Sequence, residues 1–161
     1  MTASDYLAGL PFAADRFQLE AAAAIDREET VVVCAPTGSG KTVVAEAAVA
    51  RALGRGRRAL YTTPLKALSN QKYGDFRRRL GSEAVGLLTG DNSINGRAPV
   101  VVMTTEVLRN MMYAASPDLD DVGVAVLDEV HYLQDRARGP VWEEIIIHLD
   151  AAIRLVCLSA T

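Results

Sequence analysis

Cysteine is scarce in this 161-residue chain, with only Cys34 and Cys157 present, too few for a disulfide framework. Each ends or lies inside an apolar, strand-like run, so both are expected as buried thiols in a reducing compartment. Histidine is equally scarce, and no pair among Cys34, Cys157, His131 and His148 has metal-ligand spacing, which argues against a metal held by protein side chains alone. No apolar run approaches the ~20 residues that span a bilayer. The start, MTASDYLAGLPF, has neither the basic n-region nor the long apolar h-region of a secretory leader. The expectation is a cytoplasmic protein with no membrane partner. Internal repeats and low-complexity tracts are also missing, AAAA at 21–24 being part of a helix face. There is no excess of positive charge either. Seventeen Lys and Arg face twenty Asp and Glu, for a net charge of -3. That argues against a protein that coats nucleic acid in bulk but permits a groove that touches a few phosphates.

What is present fits one soluble globular domain, with half the residues hydrophobic and 23% charged. Its organising stretch runs from Val31 to Leu53. Thr30 to Cys34 (TVVVC) reads as a central parallel strand. APTGSGKT follows from Ala35 to Thr42, and TVVAEAAVARAL then places Val43, Ala47, Ala50 and Leu53 on one helical face. This is a P-loop arrangement. Gly38 and Gly40 let backbone N–H groups curl toward phosphate oxygens. Lys41 reaches the β- and γ-phosphates, Thr42 offers its hydroxyl to Mg²⁺, and the helix N-terminus adds partial positive charge. Pro36, Thr37 and Ser39 complete the predicted nucleotide-binding loop. Ala35 stands where the bare G-x-x-x-x-G-K-[ST] pattern has its first glycine. An ordinary Gly/Ser turn would need no Lys-Thr pair.

Upstream, Asp15 is a plausible cap for a helix to about Asp26, with Phe17, Ala21, Ala24 and Ile25 inward. Gln18 would close a capping box with Asp15. Alternatively, Phe12 stacks on adenine while the Gln18 amide, both donor and acceptor, reads its edge. Downstream, Ala59–Thr62, Ala84–Thr89 and Pro99–Met103 read as strands. A helix begins near Pro64 with Leu65, Leu68, Lys72 and Phe76 along one face, and its far run Arg77–Arg79 is expected to be solvated. Another helix begins near Thr104, with Val107, Leu108, Met111 and Met112 inward. Lys66, Ser69 and Asn70 cluster at a helix start, as suits a sugar-phosphate backbone. Val122–Leu127 is apolar throughout and ends in a carboxylate pair. Asp128 is placed to hold Mg²⁺ through its water shell, and Glu129 to orient or deprotonate an attacking water. His131, within the same Asp-Glu-Val-His, is read as a relay between nucleotide and last strand. A helix from Pro140, with Trp142, Ile145, Ile146 and Leu149 inward, leads to a sixth strand at Ile153–Leu158 and to Ser159-Ala160-Thr161.

Phe-x₄-Phe-Gln, A-x-T-G-S-G-K-T and DEVH together resemble the first RecA-like domain of a superfamily 2 helicase. TTPLKALSNQKY, TGDNSIN, TTEVLRNMMY and HYLQDRARGPVWEE closely resemble the superkiller-type RNA helicases that feed exosome-like nucleases, including their actinobacterial relatives. The resemblance implies an α/β, three-layer RecA-like P-loop domain with a mostly parallel sheet and helices on both faces. It implies adenine recognition by Phe12 and Gln18, Mg-ATP binding and water activation by the P-loop with Asp128, Glu129 and His131, and coupling through Ser159 and Thr161. It also implies single-strand contacts from Pro64, Lys66, Ser69, Asn70, Thr89, Gly90, Thr104 and Thr105. The expected cofactors are ATP and Mg²⁺. The expected partners are single-stranded RNA (DNA being the alternative), a second RecA-like domain of the same chain, and an RNA-degrading nuclease.

The leading expectation is therefore the ATP-binding motor half of a 3′-to-5′ RNA helicase, the front piece of a longer protein. As a fragment without a second domain or arginine finger, it is expected to be nearly inactive. A DNA repair helicase of the same superfamily and a double-stranded DNA translocase stand beside that reading. From a different class comes a nucleotide-binding module that never turns over, which the intact acidic pair disfavours.

Overall fold

The computed structural model describes residues 1–161. One seven-stranded sheet runs through it, built from β1 (Val31–Cys34), β2 (Arg58–Thr63), β3 (Val85–Leu88), β4 (Ser93–Ile94), β5 (Val100–Thr104), β6 (Val122–Leu127) and β7 (Arg154–Ser159), in the order β1-β7-β6-β2-β5-β3-β4. Every pairing is parallel except that of β3 with β4. The helices are α1 (Ala3–Ala8), α2 (Arg16–Asp26), α3 (Lys41–Gly54), α4 (Lys66–Leu80), α5 (Thr105–Tyr113) and α6 (Gly139–His148).

Two apolar cores flank the sheet. On one side Val44, Ala45 and Ala48 of α3 and Phe76 of α4 pack on Val33, Tyr61, Val102 and Val126. On the other, Leu108 of α5 and Trp142 and Ile145 of α6 pack on Leu60, Met103, Ala125 and Leu127. This is the three-layer α/β architecture expected from alternating strands and helices. β2 and β6 are buried along nearly their whole length, as parallel strands covered on both faces must be.

Several expectations are corrected. β1 is an edge strand, not a central one, and only Val31 and Val33 turn inward. Val32 is 61% exposed, and Cys34 is likewise exposed while Cys157 is buried. A β-branched run has period two, so a strand with helices on one side alone shows the other side to solvent. α3 buries Val44, Ala45, Ala48 and Ala52 as well as Ala47, whereas Val43, Ala50 and Leu53 are only half-buried. It lies between the sheet and the α1–α2 pair, and small alanines let both neighbours approach.

α1 was not anticipated. Its N-cap Thr2 forms a reciprocal capping box with Asp5, and Asp26 at the end of α2 accepts from the Ala3 N–H at 2.7 Å. Ser93–Ile94, read as polar loop, adds an antiparallel seventh strand. Ile146 faces solvent in place of Val141, and Phe17, Ala24, Val107, Met111 and Met112 are half-buried. Arg79 is not free in water: its guanidinium meets Glu46 of α3, which also accepts from the Tyr6 hydroxyl at 3.1 Å.

Candidate nucleotide and nucleic-acid site

Parallel pairing sets Cys34 beside Ser159 and Leu127 beside Cys157, so β1, β7 and β6 release the chain at neighbouring points of one sheet edge, where open α/β sheets bind ligands. The Ala35 N–H donates to the Ser159 carbonyl at 3.1 Å and the Asp128 N–H to the Thr62 carbonyl at 3.0 Å. These bonds pin the glycine-rich loop and the acidic pair to adjacent strands.

The loop turns tightly, with the Ser39 N–H donating to the Pro36 carbonyl at 3.2 Å. Gly38 and Gly40 sit at φ +83° and +85°, a region that costs a residue with a Cβ about 1–2 kcal/mol. A Cβ on Gly40 would also lie 2.7 Å from Nε2 of Gln18. Lys41 opens α3 and is only 8% exposed, its Nζ donating to the Ala35 carbonyl at 3.0 Å. Oγ of Ser39 is buried without a hydrogen-bond partner. A buried hydroxyl lacking a partner, an ammonium held on a loop carbonyl and a helix N-terminus behind them fit a phosphate group. Pro36 and Thr37 form the exposed rim, and Thr42 is half-buried one residue into the helix.

Asp128 is 7% exposed. Its Oδ2 accepts from the Tyr61 hydroxyl at 2.6 Å and its Oδ1 from the Glu129 N–H at 2.8 Å. Burial, reinforced by the Asp128 charge, raises the Tyr61 phenol well above its ordinary pKa, so it stays a donor. Glu129 occupies the left-handed region at φ +59°, an uncommon and strained setting for a residue with a side chain. Its Oε2 lies 3.0 Å from Nε2 of His131. Nδ1 of the same ring accepts from the Ala160 N–H at 3.3 Å, which leaves the ring proton on Nε2, directed at Glu129. One imidazole thus joins the acidic pair to the segment after β7. There, Oγ of Ser159 donates to the Thr161 carbonyl at 3.0 Å. No cluster of three or more His, Cys, Asp or Glu side chains is poised for a metal. A divalent ion at this edge would draw on Thr42 and Asp128 and complete its shell with water and phosphate oxygens.

Gln18 is buried. Its Oε1 accepts from the Asp15 N–H at 2.8 Å and its Nε2 donates to the Gly40 carbonyl at 2.9 Å. The capping box is therefore real, and the amide also ties α2 to the P-loop. Phe12 is 51% exposed and shares a groove of about 450 Å³ with Thr42, Val43 and Glu46, free to stack on a planar base.

The proposed strand contacts divide. β2, β5 and β3 are neighbours, so Pro64, Thr104 and Gly90 emerge along the same carboxyl edge, with Lys66 and Asn70 exposed on the first turns of α4. Lys66 pairs with Asp91, which holds that carboxyl below its usual range. Ser69 and Thr105 are both buried. Oγ of Ser69 is 2.8 Å from Oγ1 of Thr63, where it fastens the start of α4 to β2, and Oγ1 of Thr105 has no partner. Thr89 is also turned inward, its hydroxyl accepting from the Asn92 N–H at 3.2 Å. Sequence reasoning missed Tyr61 and Glu46. The available signal for Tyr61 was a hydroxyl inside an otherwise apolar strand, a group that requires a partner.

The chain resembles solved helicase structures. It superposes on the Pyrococcus furiosus Hef helicase domain with TM-score 0.72 at 28% identity, covering 92% of this chain and 33% of that one. It shares the fold of the helicase MrfA, with TM-score 0.78 at 21% identity, covering 99% and 29%. Among curated relatives, the probable helicase HelY of Mycobacterium tuberculosis (strain ATCC 25618 / H37Rv) is 60% identical over 156 residues, 97% of this chain and 17% of the relative. The chloroplastic DExH-box ATP-dependent RNA helicase DExH15 of Arabidopsis thaliana is 54% identical over 93% of this chain and 13% of its own. The ATP-dependent RNA helicase mtr4 of Schizosaccharomyces pombe is 50% identical over 94% and 13%. The chain spans less than a fifth of the length of these curated relatives. The DEAD/DEAH box helicase profile matches residues 15–161, and with the RecA-like sheet, the glycine-rich loop and the Asp128–Glu129 pair on one edge, the chain belongs to the DEAD/DEAH box helicase family.

Proposed function

We propose that this chain is the ATP-binding motor half of an ATP-dependent RNA helicase, in which a second RecA-like domain completes the motor. The observation that carries this reading is the division of a single sheet edge. The P-loop, Asp128 and the Ser159–Thr161 segment follow β1, β6 and β7, while Pro64, Gly90 and Thr104 follow β2, β3 and β5. Nucleotide and strand would therefore lie side by side over one rigid sheet.

Lys41 leaves the Ala35 carbonyl to meet the β- and γ-phosphates, and the half-exposed ring of Phe12 stacks on adenine. Mg²⁺, held by Thr42 and Asp128 with water, would neutralise charge on the β- and γ-oxygens. Glu129 accepts the proton of a water whose oxygen attacks the γ-phosphorus as the bond to the β,γ-bridging oxygen breaks. His131 holds Glu129 through Nε2 and senses Ala160 through Nδ1, so a change at the γ-phosphate reaches the segment after β7. Lys66, Asn70, Gly90 and Thr104 would grip a sugar-phosphate backbone with little regard to sequence. RNA is the favoured strand because relatives about half identical over the aligned stretch are named RNA helicases. A nuclease partner fits the same reading.

Fluorescent adenine and guanine nucleotides, titrated with Mg²⁺ against wild type, Lys41→Ala and Glu129→Gln, test the site. The expected result is preference for adenine, weakening by about tenfold or more in Lys41→Ala from loss of a charge-assisted contact, and retained binding in Glu129→Gln. In the full-length protein Glu129→Gln should abolish RNA-stimulated phosphate release. Unchanged nucleotide binding in Lys41→Ala overturns the P-loop assignment, and stimulation by DNA alone overturns the RNA reading.

A further inference from the structure

The amino ends of the same strands carry a second charged cavity, of roughly 160 Å³, between the C-terminal ends of α2 and α3 and the starts of β6 and β7. β6 is six residues long, which at ~3.3 Å per residue places this cavity about 20 Å from the nucleotide edge. Arg51, Arg55, Arg57 and Arg154 line it together with Glu28 and Glu29.

The charges do not balance. Glu29 is taken by Arg27, and Asp26 by Arg51. Glu28 alone is shared by Arg51, Arg55 and Arg154, at 3.3 Å from Arg51 and 3.7 Å from Arg154. Four guanidiniums and two carboxylates line the cavity, and Arg27 and Asp26 outside it offset each other, a surplus of two positive charges in a chain whose net charge is -3; Arg57 also borders a groove lined by Asp120 and Asp150. The cationic C-terminus of α3 offsets its own helix dipole, but Arg57 and Arg154 lie beyond that helix.

Arg57 carries the clearest sign of a missing partner. One amino group donates to the Val122 carbonyl at 2.8 Å, yet its Nε is buried with no hydrogen-bond partner. A buried donor left unmade costs free energy that an acceptor entering the cavity would recover. Gly123 leaves room for the stem of this side chain, since a Cβ there would lie 2.8 Å from the Arg57 Cβ. Glu28, the shared carboxylate, is held at φ +65°, a strained setting for a residue with a side chain.

We propose that this cavity is an anion site for a small phosphate-bearing ligand, with Arg57 and Arg154 as its principal donors and Glu28 as the internal carboxylate against which the ligand competes. Guanidinium forks match phosphate oxygens two at a time, and a dianion would match the surplus of two charges. The site does not depend on the nucleotide reading, because it lies on the opposite edge of the sheet.

The test is a titration of the ¹⁵N-labelled chain with inorganic pyrophosphate, read from backbone amides. Gly123, Val124 and Ala152 report the cavity, while Gly38 and Gly40 report the P-loop, so the two sites separate in one experiment. Saturable shifts at the first group are expected, and sodium chloride at equal ionic strength should not reproduce them. Arg57→Gln and Arg154→Gln should each weaken that binding about tenfold, and Glu28→Gln should tighten it by freeing guanidinium donors. A 5′-phosphorylated dinucleotide run in parallel names the source. Tighter binding than pyrophosphate assigns a strand end, and weaker binding assigns the free anion. Absence of saturable cavity shifts, reproduction by chloride, or indifference to both arginine variants overturns the site.

Discussion

Replacing Tyr61 by Phe isolates one hydrogen bond at the acidic pair. The hydroxyl donates to Oδ2 of Asp128 at 2.6 Å, and both residues are buried. Phenylalanine keeps the ring and its edge contact with Phe76, at 5.5 Å between centroids, so packing is preserved while a charged acceptor loses its donor. A hydrogen bond to an ionised group contributes about 1.5–3 kcal/mol. The remaining bond, from the Glu129 N–H to Oδ1 at 2.8 Å, holds the other oxygen only, so the carboxylate plane is freed to turn. Two consequences should appear together. The melting temperature should fall by several degrees, at roughly 2–4 °C per kcal/mol for a domain of this size. The Mg²⁺ concentration that half-saturates nucleotide binding should rise about tenfold, from the lower end of that energy range, while binding in EDTA stays as in wild type. Calorimetry and a fluorescent-nucleotide titration across Mg²⁺ read the two. A lower melting temperature with an unmoved Mg²⁺ midpoint would refute the positioning role and leave Tyr61 as packing alone.

Arg58 is buried at the start of β2 and donates to the carbonyls of Ala98, Gly96 and Asp118 at 3.0, 2.9 and 2.8 Å. Arg58→Ala strands one buried and two part-buried acceptors, and denaturant unfolding should register a loss of about 2–3 kcal/mol. Gly40→Ala forces a Cβ at φ +85° to 2.7 Å from Nε2 of Gln18. It should cost at least ~1 kcal/mol and weaken nucleotide binding more than Gly38→Ala, whose Cβ meets open space. Cys34 is exposed, whereas burial raises the Cys157 thiol to about 11. Because the thiolate reacts and a raised value keeps Cys157 protonated at pH 8, a thiol reagent should label one cysteine in the native chain and two in denaturant.

The sequence by itself determined the order of the elements other than α1 and β4, and the residues of the nucleotide loop. G-S-G-K-T between a β-branched run and an alanine-rich helix allows few local structures, because positive-φ glycines and a Lys-Thr helix start are constraints of neighbouring residues. The acidic pair at the end of Val122–Leu127 was legible for the same reason: six apolar residues followed by two carboxylates mark where a buried strand meets solvent. Tertiary structure alone decided what depends on which strands are neighbours. TVVVC reads identically at the centre or margin of a sheet, and only the packing of helices on one face of β1 leaves Val32 and Cys34 exposed. Ser69 looked like a surface hydroxyl until the start of α4 folded over β2 and Thr63 took it. Tyr61 and Asp128 are separated by 67 positions, a distance that periodicity cannot bridge. They meet because β2 and β6 pair in register, with Tyr61 beside Val126, and a buried phenol and a buried carboxylate each need the partner the other supplies.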